Sequence, residues 1–193
     1  DGGCLDIDTC GARVSEALTV TLVGEGESDG LSRLLILTDL DHQQINVLRA
    51  YRSYWHLVNP AFSKSYVAGA LAASPEITDD LVRLFEARFG PDADESVEAA
   101  LRATLLEPLE AVASLDEDRI LRAFLGLIDA TVRTNAFLRT GSLAFKFLSA
   151  KVPAAPEPRP MYEIFVFASE VAGVHLRGGP VARGGIRWSI RRQ

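Results

Sequence analysis

Over the first two thirds of the chain, apolar residues recur at intervals of three and four, the period of a helix with one buried face. The run VSEALTVTLVG from Val14 predicts a weak first helix, rich in Thr and Val, that stops at GEGESDG. DGLSRLLIL predicts a short second helix with Asp29 near its N-cap. Next, Ile45, Leu48, Tyr51, Trp55 and Val58 trace one stripe behind a cap at Asp41. NPAF breaks that helix. SKSYVAGALAAS follows, and then a helix opening on Ser74-Pro75 and closing on Gly90-Pro91. Two longer helices complete the series. One places Val97, Leu101, Leu105, Leu109 and Val112 on a face, with Pro108 expected to kink or divide it. The other opens on acids and carries Ile120, Phe124, Leu127, Ile128 and Val132 to about Leu138.

The period then changes to two. LAFKFLSAKV alternates as a strand does, with Lys146 and Ser149 expected on one side and the aromatics on the other. PAAPEPRP is an extended connection. MYEIFVFAS, VAGVHLRGG and GGIRWS are three further short β-rich runs separated by glycines. The expected fold class is α+β, a mostly helical domain over 14–140 followed at 141–193 by the first strands of an incomplete second domain. Residues 1–13 are expected to be an unstructured upstream remnant, and a start on Asp1 instead of Met reads as a fragment.

Composition narrows the classes. A hydrophobic fraction of 48% and a charged fraction of 24% belong to an ordinary globular protein. No apolar run approaches a membrane span and no leader pattern is present. The net charge of −6 is uneven: Arg177, Arg183, Arg187, Arg191 and Arg192 follow Val171 with no acid among them. An acidic body with a basic end is not built to bind nucleic acid, since phosphate affinity needs a basic face. RGG occurs twice, at 177–179 and 183–185, but among Val174, Leu176, Val181, Ile186 and Trp188, whose alternation is that of structured strands and not of a disordered RNA-binding tail. Cys4 and Cys10 lack partners for a zinc site and read as free thiols of a reducing compartment, hence a cytoplasmic protein without a metal. His42, His56 and His175 form no ligand or triad spacing.

The chemistry concentrates in ARGGIRW. Paired glycines leave bare backbone for close approach, and an arginine beside them offers a fork for a carboxylate or phosphate. Arg183, Gly184, Gly185 and Arg187 are therefore the candidate anion-binding residues. An alternative is a non-enzymatic helical interaction or regulatory module whose basic strand end docks an acidic partner.

The stretch MYEIFVFASEVAGVHLRGGPVARGGIRWSIRR resembles the entry to the catalytic domain of the large-subunit NAD-dependent glutamate dehydrogenases of bacteria. DGLSRLLIL, VLRAYRSYW, FSKSYVAGAL and LVRLFEARFGP resemble the helical segment before that domain, so the likeness covers most of the chain from Val14. The resemblance implies that Arg183 stands where the compact glutamate dehydrogenases carry a carboxylate-gripping lysine. Gly184, Gly185 and Arg187 would complete a strand that binds L-glutamate or 2-oxoglutarate. It also implies NAD as cofactor of the intact, homo-oligomeric enzyme. On this segment it implies neither NAD nor catalytic residues, for there is no G-x-G-x-x-G turn, and Lys64, Lys146 and Lys151, its three lysines, match no catalytic motif. The segment alone is expected to be inactive. Two departures stand out: Ile190 replaces the family's aspartate, and Gln193 stands where the family continues with glutamate.

Overall fold

In the computed structural model, the structure describes residues 7–23, 27–138, 140–168, 171–179 and 184–191, omitting the side chains of residues 7–9, 188, 190 and 191. Seven α-helices precede a five-stranded sheet among these residues. The helices are α1 (Ile7–Leu22), α2 (Leu34–Leu37), α3 (His42–Val58), α4 (Lys64–Ala73), α5 (Pro75–Phe89), α6 (Glu95–Glu110) and α7 (Leu115–Ala130). The strands β1 (Thr131–Thr134), β2 (Ser142–Leu148), β3 (Tyr162–Ala168), β4 (Val171–Arg177) and β5 (Ile186–Arg191) pair in chain order. Each pairing is antiparallel. The α+β class is as the sequence predicts.

Local chemistry starts most of these helices. Asp41 accepts from the Gln44 amide at 2.8 Å while the Gln44 side chain accepts from the Asp41 amide at 2.8 Å, a reciprocal cap for α3. Asp29 and Ser32 form the same device at the turn Gly30–Arg33 that leads into α2. Ser63 caps α4, Asp94 caps α6 and Ser114 caps α7. Pro75 occupies the first turn of α5, and Gly90 ends it.

Several boundaries differ from the periodic reading. Helix α1 begins at Ile7, well before Val14. Helix α7 ends at Ala130, not near Leu138, because Thr131, Val132 and Thr134 are β-branched and the stretch pairs with β2 instead, through Thr131, Arg133 and Thr134. A bulge in β1 leaves Val132 between the paired residues Thr131 and Arg133, which turns it half out to solvent and off the expected stripe. Pro108 lies in the last turn of α6, where the helix runs through it to Glu110. Val97 is exposed, and Leu105 and Leu109 alone of that face are fully buried. Ser149 is buried in the short turn after β2, not on the side of Lys146.

Helices and sheet share one core. Helix α3 lies against the sheet's inner face, and Tyr51, Tyr54, Phe145, Phe147 and Phe165 are almost wholly buried between them. Tyr54 stacks on Phe147 at 4.2 Å between ring centroids, and Tyr51 meets Phe145 at 4.7 Å. The Tyr51 hydroxyl and the Thr131 hydroxyl lie 2.8 Å apart, tying α3 to the start of the sheet. Burial raises the Tyr51 hydroxyl above its ordinary pKa, so it stays protonated.

Helix α3 also buries two arginines. Arg49 reaches Asp29 at 3.2 Å and donates to Ser32 at 3.0 Å, while Arg52 reaches Asp29 at 2.5 Å. One carboxylate thus pins the turn before α2 onto α3. Burial, with Arg52 close by, pulls the Arg49 pKa below its usual value, and Asp29 opposes that shift.

Candidate functional site

Three of the four candidate residues fall among the described ones, and Arg183 lies outside them. Gly184 and Gly185 lead directly into β5, which borders β4 at the end of the sheet. The two glycines have different surroundings. A Cβ on Gly184 would overlap the backbone carbonyl of Leu176 in β4, so this glycine is required by the neighbouring strand. A Cβ on Gly185 would meet no atom of the described residues within 4 Å. The Gly185 carbonyl accepts from the Leu176 amide at 2.7 Å, which fastens the backbone while leaving that direction open.

The register of β5 slips by one residue between the pairs Val174–Trp188 and His175–Ile186. Arg187 is the extra residue, and a bulge of this kind re-aims a side chain. Its guanidinium reaches past β4 to Glu163 of β3, with Nη2 donating to Oε1 at 3.0 Å. The same nitrogen donates to the Pro158 carbonyl, and Nη1 lies 3.5 Å from the Glu157 carbonyl. Glu163 is wholly buried and accepts from the Tyr54 hydroxyl at 2.8 Å on its other oxygen. Burial lifts the Tyr54 hydroxyl far above its ordinary pKa, and the neighbouring Glu163 carboxylate adds to the lift. Tyr54 is thus a fixed donor.

The structure brings Gly184, Gly185 and Arg187 together and adds Glu163 and Tyr54, which the periodic reading does not single out. A signal was present. Glu163, Phe165 and Phe167 share the inward face of β3, so a charged residue occupies a core register.

Other concave regions carry less chemistry. A cleft of about 440 Å³ between the end of α3 and the start of α7 is lined by Trp55, Phe62, Ala123 and Pro153, with Arg119 and Arg122 at its edge. A second groove, of about 800 Å³, holds Arg88, Glu98, Arg102 and Asp129, which neutralise one another. Its strongest link, from Arg102 to Asp129, raises the Arg102 pKa through hydrogen bonding. Among the described residues, no group of histidine, cysteine or carboxylate side chains is arranged to hold a metal, and no helix is long and apolar enough to cross a membrane.

Comparison with known proteins decides the family. The family model described as bacterial NAD-glutamate dehydrogenase, catalytic domain, matches residues 104–193, and that for glutamate dehydrogenase helical motif 3 matches residues 26–91. The chain belongs to the bacterial NAD-dependent glutamate dehydrogenase family. It is 43% identical to the NAD-specific glutamate dehydrogenase of Halomonas elongata over 92% of its length. The corresponding values are 38% over 100% for the protein so named in Pseudomonas aeruginosa, and 44% over 93% for that of Mycobacterium tuberculosis. The chain spans only 12–13% of the length of these relatives. The glycine pair and the bulged arginine thus lie within the part matched to the family's catalytic domain.

Proposed function

We propose that this segment supplies the substrate-carboxylate strand of an enzyme that converts L-glutamate, NAD and water to 2-oxoglutarate, ammonium, NADH and a proton. The open direction over Gly185, beside a Gly184 packed on Leu176, is the observation that carries the reading. A glycine whose missing side chain faces no atom of the described residues leaves room for a ligand against the backbone. In this reading Arg183 pairs with a carboxylate of glutamate through two parallel N–H donors. Arg187, already facing Glu163, holds the strand on the substrate's protein side. The intact enzyme is a cytoplasmic homo-oligomer.

Every strand pairing is antiparallel, so the described residues contain no parallel βαβ unit to seat a dinucleotide. NAD, the hydride acceptor of the reaction, is held in this reading by another part of the longer protein, and no step on this segment runs through it.

The test is Arg183→Ala in the full-length enzyme. Losing a bidentate contact to a carboxylate should raise the KM for glutamate at least tenfold and leave the KM for NAD within about twofold. An unchanged glutamate KM would remove Arg183, and with it the reading.

A further inference from the structure

Glu163 is a carboxylate placed where the fold calls for an apolar side chain. Its neighbours on the same face of β3, Phe165 and Phe167, pack in the core, and Glu163 itself is wholly buried. Removing a charge from water is unfavourable unless partners compensate, and a well-packed apolar residue would often serve stability as well or better. The two oxygens of Glu163 engage different elements: Tyr54 of α3 on one side and Arg187 of β5 on the other. Arg187 reaches it because the β5 bulge sets it out of the regular pairing. Only Ile186 separates Arg187 from Gly185, whose open direction is the seat of the proposed ligand.

We propose that Glu163 is a positioning residue for substrate binding: through Arg187 it fixes the backbone of Gly184 and Gly185 relative to α3, and so sets the geometry of the glutamate seat. This rests on the reading of that strand given above. Non-directional packing could hold β5 near the core but would let it slide. Charge-assisted hydrogen bonds at 2.8 and 3.0 Å give both direction and distance. Tyr54 orients the carboxylate, and its strongly raised pKa keeps the hydroxyl a donor throughout the working range.

The experiment uses the full-length enzyme, numbered as here, with Glu163→Gln, Glu163→Asp, Tyr54→Phe, Arg187→Gln and the double variant Glu163→Gln/Arg187→Gln. Glutamate KM, NAD KM and Tm are measured for each. Glu163→Gln should raise the glutamate KM about tenfold and leave the NAD KM within about twofold, Glu163→Asp should recover part of the loss, and Tyr54→Phe should raise it about threefold. The double variant should be no worse than Arg187→Gln alone, since one residue acts through the other. A glutamate KM unchanged by Glu163→Gln overturns the proposal. So does a parallel rise in both KM values, which marks general destabilisation, or full additivity in the double variant. If Glu163→Gln does not fold, Tyr54→Phe decides, and an unchanged glutamate KM there overturns it equally. Arg183→Ala separates the two levels: if it raises the glutamate KM while Glu163→Gln does not, the strand binds substrate but Glu163 does not position it. If Arg183→Ala has no effect, both fail.

Discussion

At β2 and β3 the sheet is fastened to α3 by rings: Tyr51 and Tyr54 on one side, Phe145, Phe147 and Phe165 on the other. At β5 the attachment is different. Beyond its pairing with β4, the strand's entry is held by the bulged Arg187, through an ion pair to Glu163 and contacts with the Pro158 and Glu157 carbonyls, and by one backbone bond from Leu176 to Gly185. Ring packing removes much apolar area from water and is strong but tolerant of small shifts. Hydrogen bonds to a charged group add less stability but specify direction. The centre of the sheet therefore supports the fold, and its edge presents backbone at a defined place. A binding strand needs the second property more than the first.

Substitutions on the two sides should have different signatures. The largest effect is expected at the centre, where Phe147→Ala removes the ring stacked on Tyr54 and should cost about 3–5 kcal/mol of unfolding free energy. Chemical denaturation measures it, and a loss under about 1 kcal/mol would mean that the rings do not carry the core. At the edge, Arg187→Gln should loosen the entry to β5 more than the ring-packed pairing of β2 with β3. Hydrogen exchange should then quicken at the Leu176 amide, the donor to Gly185, and stay slow across the Phe145–Phe165 pairing. Equal acceleration in both places would erase the distinction. The smallest effect lies away from both regions. Asp41→Ala should remove one reciprocal cap of α3 and about 1 kcal/mol, with neither region singled out.

Much of the helical part was legible because its determinants are local. Asp29 and Asp41 lie within a few residues of the amides they cap, Pro75 stands in the first turn of α5, and the stripe from Ile45 to Val58 is buried as its spacing predicts. The end of α7 was not legible, since Thr131 and Val132 continue the helical period while their branched side chains and the pairing with β2 favour a strand. Buried Arg49 and Arg52 were hidden for a related reason: their partner Asp29 is supplied by another element.

The site divides in the same way. Glycines beside arginines could be read from the sequence, but the difference between Gly184 and Gly185 depends on Leu176 of the adjacent strand. Glu163 stands 24 residues from Arg187, and Tyr54 stands 109 residues from Glu163, so no local pattern joins the three. The bulge that brings Arg187 inward is a matter of pairing register, which composition does not reveal.

The most direct measurement is the glutamate KM of the full-length enzyme carrying Gly185→Ala, taken together with its Tm. The fold offers this methyl group open space, so Tm should stay within about 2 °C of the parent, a change of well under 1 kcal/mol. If glutamate lies against this backbone, the same methyl should raise its KM at least tenfold, with the NAD KM unchanged. An unchanged glutamate KM in the stable variant would contradict the account, because the space over Gly185 would then hold no substrate.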